Sequence, residues 1–491
     1  MSARRAARRP RVILTVIDGM RPDALERAIA EDRAPALAHL MDNGVYVDDC
    51  VSAFPSVTPV CTASIATGAG PAEHRIPGMN WFHRGEGRYV EYGSSFAATR
   101  TFGVGRSLTD TIYNLNLAHL SRATPTLFER LDDADLRTAG TTFLIYRGRH
   151  RHLPRGESAL ARLVGATLFR HGVYGPRDLF YADLFASRRT GCRAQLGMPG
   201  ERDAHAGCVG AHLVEHDLFD FLLLSLPDND THSHRRGPDD QVVSVELADR
   251  QLMRVMDAAG GPEPFLEEHM MVVLSDHAHS LVETPVSLRE VFSDWRVLEP
   301  DDPLPEGAEV AICPSQRAAM VYLLDDERPV ELLDDVVETA AAVDAVDLVL
   351  WREDDEGVVR RGAAELRFGP GGRVSDLRGG RWRLEGDLEV LRARTVAGRL
   401  VSDEYPDALA RIWSALTCAT AGDVLLSAAP GFEFTDWGGG GHLGGGSHGS
   451  LHREDSLSPL LWAGGGPPDR DARLQWTLRD VAPLVLDALG V

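Results

Sequence analysis

Carboxylate and imidazole side chains occur at three places in the chain, each soon after the end of a short apolar segment. These side chains belong to Asp18, Asp230, His234, Asp276 and His277. One aspartate after a strand would mean little, because aspartate is common in turns and at helix N-termini. The whole set is harder to explain as capping aspartates and surface histidines. Mixed carboxylate and imidazole ligands suit zinc or manganese better than calcium or magnesium, so these residues predict a transition-metal site.

A hydroxyl that could act as a nucleophile belongs to Thr58. The following Pro59 fits the first position of a helix, which would make Thr58 the N-cap residue. There the hydroxyl would lie beside unpaired backbone N–H groups and the positive end of the helix dipole, a favourable place for a phosphate. A simple threonine cap is the alternative. Because a threonine hydroxyl needs a base or a metal to become a nucleophile, the metal ligands elsewhere favour the catalytic interpretation.

The apolar segments before these residues predict the strands of a sheet. They are continuous in β-branched and aliphatic residues, as strands buried on both faces are, and they comprise residues 12–17, 219–226 and 270–274. Helical patterns lie between and after them, at residues 35–43, 59–66, 202–216 and 239–258. This alternation predicts an α/β fold with a mainly parallel central sheet flanked by helices. Ligands of such sheets bind outside the carboxyl ends of the strands, where the aspartates would lie.

Residues 291–419 differ in character from the rest of the chain. Acidic and glycine-rich pieces separate short strand-like runs there, such as residues 319–324 and 347–351. We therefore predict a smaller α+β insertion at residues 291–419, and a catalytic domain made of residues 1–290 and 420–491. The last part of that domain would contain a strand at 424–427, a glycine-rich loop at 438–446 that leads into His448, and a helix from about Thr477.

The composition excludes some functions. The chain has 491 residues, and its formal net charge of -22 argues against a protein that grips duplex nucleic acid through its phosphates. No run of eighteen or more apolar residues occurs, so no membrane span is predicted. The basic N-terminus is followed by only a short apolar run and no small-residue cleavage site, which favours a solvated tail over a signal peptide. The oligomeric state stays open.

The cysteines favour a reducing compartment. They lie far apart, with no Cys-x-x-Cys pair and no dense framework, and they are Cys50, Cys61, Cys192, Cys208, Cys313 and Cys418. We predict free thiols in all of them. The cytoplasm is therefore the predicted location, since intracellular thiols are kept reduced there.

Short motifs follow one another along most of the chain. The pattern Asp-Gly-x-Arg-x-Asp begins at Asp18, and Pro-x-x-Thr ends at Thr58, followed ten residues later by the glycine of Thr-Gly. The pattern Asp-x-x-x-His-x-x-Gly-Pro begins at Asp230. Ser-Asp-His ends at His277, and a late His-Gly begins at His448. In this order and combination, the motifs resemble those of the type I phosphodiesterase/nucleotide pyrophosphatase family of the alkaline phosphatase superfamily.

The resemblance implies an alkaline-phosphatase-like fold and a division of the metal ligands. One divalent ion would be held by Asp230, His234 and His448, and a second by Asp18, Asp276, His277 and Thr58. Zinc is the expected metal, with manganese possible. Two ions about 3.5–4 Å apart can bind both the attacking and the leaving oxygen of an in-line displacement. The expected reaction is hydrolysis of a phosphodiester or pyrophosphate bond in a small anionic substrate, through a phosphothreonine intermediate.

Two features depart from the family's pattern. Ala278 follows the Ser-Asp-His motif where many relatives have glycine. Asn80 matches an asparagine that contacts the phosphate, but it falls one position later than in the family. The resemblance therefore gives Asn80 the role of a phosphate contact with a changed spacing.

Two assignments near the ligands stay open. Asp228 and His232 have the same spacing as Asp230 and His234; the Gly-Pro step at residues 237–238 favours the later pair, and Asp228 could then orient a ligand histidine. The basic run at residues 147–152 is either a solvated loop or a contact for an anionic leaving group. Two further residues near the motifs have no assigned role, and these are His279 and His442.

Other functions compete with this prediction. A phosphomonoesterase or a phosphonate hydrolase of the same superfamily would use a similar site. From another class, an inactive binding protein could keep the fold, but a complete ligand set argues against it. The sequence does not identify the leaving group.

Overall fold

A mixed sheet of eight strands lies at the centre of the fold in a computed structural model, which describes residues 9–154, 171–182, 184–194, 197–300, 307–325 and 329–491. Five neighbouring strands are parallel, and antiparallel partners flank them at both edges. In spatial order the strands are Gly44–Val51, Leu457–Ala463, His269–Leu274, Arg11–Ile17, Phe221–Leu226, Thr138–Thr141, Asp178–Tyr181 and Phe185–Ala186. The α/β class agrees with the prediction from sequence, and the parallel part is confined to the five central strands.

Alternate residues of the central strands pack into apolar cores on opposite faces of the sheet. Val12 and Val16 belong to one core, whereas Ile13 and Ile17 belong to the other. Successive side chains of a strand point to opposite faces, so a strand covered on both sides needs an unbroken apolar sequence. The first core includes side chains of helices Thr58–Thr67 and Val481–Leu489. The second includes side chains of helices Pro22–Ala30, Pro35–Asp42, Arg202–Glu215 and Gln241–Asp257.

A second sheet packs beside the central one. Its strands are Val310–Ser315, Ala318–Leu323, Val424–Ala428, Val346–Glu353, Glu356–Arg361, Ala364–Ser375, Arg399–Ser402 and Ala393–Val396, with Arg381–Gly386 paired to Ala364–Ser375. Leu348 and Leu350 join the first core of the central sheet, so the two sheets share one apolar interior. The strand that begins at Val424 lies inside this second sheet although it is outside residues 291–419. The division into a catalytic domain and an insertion stays a prediction.

Shorter elements complete the described fold. Short helices and turns are Pro71–His74, Phe96–Thr101, Val104–Thr109, Asp110–His119, Leu127–Asp133, Asp228–Arg236, Pro238–Asp240, Pro262–Glu268, Leu288–Val291, Pro329–Ala341, Leu388–Leu391, Ala408–Leu416, Arg453–Ser456, Arg470–Ala472 and Leu478–Asp480. Two-stranded pairs join Asn80–His83 to Arg88–Glu91, His150–His152 to Val173–Gly175, Ser280–Leu281 to Gly446–Ser447, and Thr284–Val286 to Phe432–Phe434. The three predicted buried strands and four predicted helices are all present, with ends displaced by one or two residues. Such displacements are ordinary at element termini.

Cys192 and Cys208 form a disulfide, which contradicts the prediction of six free thiols. The two residues are 16 positions apart in sequence, a spacing that no local motif marks. Their pairing depends on how helix Arg202–Glu215 packs against the preceding segment, and this is a tertiary feature that the spacing of cysteines does not reveal. The other cysteines are buried and free, namely Cys50, Cys61, Cys313 and Cys418.

Two expectations from the sequence concern the N-terminal tail and a membrane span. The basic tail predicted at the N-terminus falls on residues 1–8, which lie outside the described residues. Within the residues that the structure describes, no helix combines the length and the apolar character needed to cross a membrane.

Candidate metal centre and active site

Three carboxylates meet at the carboxyl ends of the central strands. The strand before Asp18 lies between the strands that precede Asp230 and Asp276, and it is parallel to both. Parallel neighbours end on the same side of a sheet, where open α/β folds bind their ligands. The three aspartates that the sequence places after separate strands are therefore brought together by the order of those strands.

Three imidazoles converge on a single oxygen of Asp230. Its Oδ1 lies 3.0 Å from Nε2 of His279, 3.2 Å from Nε2 of His234 and 3.6 Å from Nε2 of His448. His234 is one helical turn beyond Asp230, which puts both side chains on the same helix face. One donor atom from each of the four residues lies within 4.8 Å of the others, so the group could hold a metal ion.

A second group surrounds His277 and includes the candidate nucleophile. Nε2 of His277 lies 3.4 Å from Oδ1 of Asp18 and 3.5 Å from Oδ2 of Asp276. The same nitrogen lies 3.2 Å from Oγ1 of Thr58. Donor atoms of Asp18, Asp230 and His277 lie within 4.8 Å of one another, so Asp230 links the two groups. The structure thus brings every residue of the predicted ligand set into one site.

Thr58 is the first residue of helix Thr58–Thr67, and Val57 rather than Thr58 is the N-cap residue. The predicted helix start is wrong by one position, because proline is tolerated anywhere in the first turn and so does not fix the cap. The Thr58 hydroxyl nevertheless lies in that first turn, at the positive end of the helix dipole. The local sequence therefore predicted the electrostatic setting of the hydroxyl but not its formal position.

Backbone carbonyl groups orient three of the imidazoles. Their Nδ1 atoms lie 2.7 Å from Gly446 O for His234, 3.2 Å from Ala278 O for His277, and 2.8 Å from Ser56 O for His448. A ring that donates from Nδ1 carries its lone pair on Nε2, the nitrogen that faces the carboxylates here. The rings are thus held in the tautomer that can bind a cation between them.

The carboxylates destabilise one another in this buried setting. Burial, together with the charges of Asp276 and Asp230, raises the pKa of Asp18 well above its usual range. Burial also raises the pKa of Asp276. Oδ1 of Asp18 and Oδ2 of Asp276 are buried and have no hydrogen-bond partner. A cation beside these atoms would satisfy both and offset their repulsion, so the residues present fit a divalent metal ion.

The histidines have the opposite effect on Asp230. Burial alone would raise its pKa, but the charge of His234 and hydrogen bonds from His234 and His279 hold it well below the usual range. Burial lowers the pKa of His279 to about 4 and that of His448 well below its usual range. Burial alone would lower the pKa of His234, but the charge of Asp230 raises it, so metal binding at this pair would displace a proton from His234.

The alternative pair, Asp228 and His232, forms hydrogen bonds outside the ligand cluster. Oδ1 of Asp228 accepts hydrogen bonds from Nε of Arg202 at 2.8 Å and from the backbone N–H of Gly200 at 2.9 Å. Nε2 of His232 lies 2.9 Å from Oδ2 of Asp240. The expectation that Asp228 orients a ligand histidine is wrong, because its carboxylate anchors the start of helix Arg202–Glu215 instead.

The candidate phosphate contact and the basic run also lie apart from the ligand cluster. The amide of Asn80 donates to the carbonyl of Val90 at 3.0 Å, and its Oδ1 is buried without a partner. Arg147, in the basic run, is buried and bonded to Glu129 and to backbone carbonyls. Neither Asn80 nor any residue of 147–152 lines the cavity at the cluster.

Two histidines that the sequence left unassigned belong to the site. His279 contacts Asp230, and Gly19 makes room for it, because a Cβ at Gly19 would lie 2.4 Å from Nε2 of His279 and the residue has φ of +67°. The ring of His442 stacks on His234 with centroids 4.0 Å apart, and its Nδ1 lies 2.7 Å from Oε1 of Glu433. The Asp-His-Ala-His spacing was a usable signal for His279, since alternate residues of an extended segment share a side.

A cavity of roughly 910 Å³ opens beside the cluster. The side chains of Asp18, Thr58, Asp230, His234 and His448 all contribute to its wall. Much of the remaining wall is apolar or aromatic, and includes Met79, Ile112, Phe143, Leu144, Tyr181 and Leu184. This volume is in the range of cavities that bind drug-sized ligands.

Carboxylates at the ends of parallel strands, convergent imidazoles and a hydroxyl in the first turn of a helix define an α/β protein with a candidate metal site beside a candidate nucleophile. The family model described as Type I phosphodiesterase / nucleotide pyrophosphatase matches residues 12–450, and the chain belongs to this family. It is accordingly a hydrolytic enzyme of a family in which metal dependence is typical. No curated protein matches the chain.

Solved structures share the fold over nearly the whole chain. Phosphonoacetate hydrolase from Sinorhizobium meliloti 1021, in complex with phosphonoformate, has 16% sequence identity and a TM-score of 0.58, with 98% of this chain and 96% of that one covered. An inactive threonine-to-alanine variant of murine ectonucleotide pyrophosphatase/phosphodiesterase 5, in complex with AMP, has 12% identity and a TM-score of 0.58, with 98% and 95% covered. These likenesses show the fold.

Proposed function

We propose that this enzyme hydrolyses a phosphodiester or pyrophosphate bond of a small anionic substrate, with Thr58 as the nucleophile. The observation that carries this proposal is the position of the Thr58 hydroxyl, in the first turn of a helix and 3.2 Å from Nε2 of His277. The family of the chain supports the same reaction class. The inactive threonine-to-alanine variant of the murine structure is consistent with a catalytic threonine in this fold.

Two divalent metal ions, zinc or manganese, belong to the proposal. One would be held by Asp230, His234 and His448, and the other by Asp18, Asp276, His277 and Thr58. His279 offers a further nitrogen to the first group, because its Nε2 lies 3.0 Å from Oδ1 of Asp230. When bound, such ions supply Lewis-acid stabilisation of charge on phosphoryl, attacking and leaving oxygens.

The chain itself supplies an oriented hydroxyl to the first step. Oγ1 of Thr58 attacks phosphorus, so that a bond from Thr58 to phosphorus forms while the bond to the leaving group breaks, and the proton of the hydroxyl ends on the leaving group. Water then attacks the same phosphorus, breaks the bond to Thr58 and restores the hydroxyl with one of its protons. The positive end of helix Thr58–Thr67 lies against the phosphoryl charge in both steps.

The cavity favours a bulky leaving group. Its volume of roughly 910 Å³ and its aromatic side chains, such as Phe143 and Tyr181, would surround a large group attached to the phosphoryl centre. A small phosphonate of the kind bound to the Sinorhizobium meliloti enzyme would fill only part of this space. Among the described residues, two arginines line the wall. Arg202 already bonds to Asp228, and Arg235 is exposed to solvent, so neither is a buried free cation that could balance the second negative charge of a monoester.

A comparison of three substrates tests the reaction class. We expect a nitrophenyl ester of a nucleotide to be cleaved with a kcat/KM at least about tenfold above that of nitrophenyl phosphate, which corresponds to about 1.4 kcal/mol. The physical reason is the single negative charge of a diester in a site where Arg202 is already paired and Arg235 is exposed to solvent. Phosphate release from phosphonoacetate is the third measurement. A strong monoester preference would overturn the substrate class, and faster cleavage of phosphonoacetate would favour a phosphonate hydrolase.

The disulfide bears on the compartment of the enzyme. Disulfides persist in oxidising environments and are rare in reducing ones, so the Cys192–Cys208 pair favours an oxidising compartment over the predicted cytoplasm. We include this compartment in the proposal.

Thiol titration tests the pairing. Denatured, unreduced protein is expected to show four free thiols, from the buried free cysteines, and two more after reduction. Cys208→Ser should lower the free energy of unfolding by about 2–4 kcal/mol, because the closed loop no longer restricts the unfolded chain. Protein isolated with rapid thiol alkylation provides the sample. Six reactive thiols before reduction would contradict the disulfide and restore the prediction of a reducing compartment.

A further inference from the structure

The hairpin loop between strands Val310–Ser315 and Ala318–Leu323 reaches from the second sheet into the active-site cavity. Ser315 pairs with Ala318, so Gln316 is the first residue of a two-residue loop. The side chain of Gln316 lines the same cavity as Thr58 and His448. A residue from the second sheet therefore forms part of the wall around the candidate nucleophile.

The backbone of Gln316 has an unusual conformation for its residue type. Its φ is +61°, in the left-handed region that glycine adopts readily and other residues seldom do. Hairpin loops normally place glycine or asparagine at such positions. Residues held in this conformation cluster at functional sites, where the surrounding structure maintains the strain. Gln316 thus keeps a long polar side chain at a position where glycine would cost less.

The carboxamide oxygen of Gln316 is buried without a partner. The residue is 9% exposed, and its Oε1 has no hydrogen bond. No hydrogen bond joins its amide nitrogen to the part of the chain that the structure describes. A buried carbonyl oxygen without a partner costs free energy, which reorientation of the amide against a ligand in the cavity would recover. Since rotation by about 180° exchanges its nitrogen and oxygen, the group can present a donor to a phosphoryl oxygen.

The loop is held firmly against the metal-ligand segment. The backbone N–H of Arg317 donates to the carbonyl of His448 at 2.9 Å, and Gln316 O accepts from Phe434 N at 2.8 Å. The guanidinium of Arg317 is fully buried and forms an ion pair with Asp455 at 2.6 Å. Gly449 packs so closely that a Cβ there would lie 2.9 Å from Ser315 O. The position of Gln316 relative to His448 is therefore fixed by the fold.

We propose that Gln316 is a catalytic residue that donates a hydrogen bond to a phosphoryl oxygen of the substrate, the role that the family resemblance implies for Asn80. This rests on the proposed function. Asn80 already donates to Val90 O and does not line the cavity, whereas Gln316 lines it and its amide oxygen has no partner, so the amide is free to turn toward a ligand. A positioned donor of this kind stabilises the charge that develops on the phosphoryl oxygens during transfer.

Replacement of Gln316 by glycine separates a catalytic role from a structural one. Gln316→Gly removes the carboxamide and also the strain of a positive φ, so we expect Tm to stay unchanged or rise. We expect kcat/KM for a nitrophenyl nucleotide diester to fall by about 10²–10³-fold, the usual effect of losing one such donor. Binding of inorganic phosphate, measured by calorimetry on the full chain loaded with metal, should weaken. The metal content should stay unchanged.

Asp354→Gly is the matched control. Asp354 has φ of +52° in the hairpin between Val346–Glu353 and Glu356–Arg361, in the same sheet and outside the cavity lining. This control should leave kcat/KM and phosphate binding unchanged. The proposal is overturned if Gln316→Gly keeps the kcat/KM and phosphate affinity of the unmodified protein, or if it loses metal together with activity. If the unmodified protein binds phosphate but cleaves no phosphoester, the proposed function fails and phosphate binding alone decides the role of Gln316. Absence of phosphate binding by the unmodified protein would contradict both.

Discussion

Thr58→Ala is expected to abolish turnover while the protein remains folded and retains most of its metal. Loss of a covalent nucleophile that acts with its partners as a unit lowers kcat by about 10⁴–10⁶-fold. Thr58 is only partly buried and lies in the first turn of its helix, so the loss of its side chain should affect stability little. The measurements are single-turnover and steady-state cleavage of a nitrophenyl nucleotide diester, metal content, and thermal unfolding.

Two further variants sharpen this test. Thr58→Ser should keep part of the activity, because the hydroxyl remains while the methyl group that restricts its rotamer is lost. Thr67→Ala is a matched control in the same helix, since its hydroxyl is buried, donates to Ala63 O at 2.6 Å and lies outside the cavity wall. That variant should lose stability and keep kcat. Substantial diesterase activity in Thr58→Ala would exclude Thr58 as the nucleophile, and trapping of the nucleotidyl group on Thr58 in the unmodified enzyme would identify the intermediate directly.

The central strands and the aspartates at their carboxyl ends could be predicted, because the apolar pattern that marks them is local in sequence. A strand covered on both faces must be apolar throughout, as Val12 and Ile13 illustrate by entering opposite cores. A polar residue that ends such an apolar run, such as Asp18, is therefore easy to recognise in the sequence. Because parallel strands end on the same side, three such residues were expected to meet before any pairing was known.

Other parts of the site depend on contacts between distant segments and leave little trace in the sequence. Gln316 reaches the cavity because a hairpin of the second sheet packs against the segment of His448, more than a hundred residues away in sequence. The disulfide needs the packing of Cys208 against Cys192, which no spacing motif encodes. The position of the second sheet beside the active site also depends on the strand that begins at Val424, which inserts between strands far from it in sequence.

Asn80 matches a family motif, but its side chain does not line the cavity. Its one-position shift in sequence corresponds to a place in strand Asn80–His83, where its amide bonds to the neighbouring strand at Val90. In a strand, a shift of one residue turns a side chain to the opposite face. Met79, the preceding residue, is the one that lines the cavity. Of these two adjacent residues, therefore, Met79 and not Asn80 is part of the cavity wall.

Asp230→Asn is expected to lose bound metal and nearly all activity, whereas Asp228→Asn should keep both metals. Asparagine preserves the shape of aspartate, so each variant removes mainly a charge. Asp230 lies 3.0–3.6 Å from three imidazole nitrogens and links both ligand groups, and its loss leaves them without their shared carboxylate. The bound metal measured after gel filtration should fall from about two equivalents per chain in the unmodified protein to one or fewer in Asp230→Asn.

Asp228→Asn is the matched control for the same helix. It weakens the ion pair with Arg202, whose guanidinium also lines the cavity, so we expect a loss of about 1–3 kcal/mol in the free energy of unfolding. Its effect on kcat/KM should stay within about 10–100-fold, the range for residues that act through a neighbour. If Asp228→Asn loses metal and Asp230→Asn keeps it, the ligand pair is Asp228 and His232, two residues earlier than proposed. The two aspartates lie two residues apart on one helix, so only one of them can face the imidazoles.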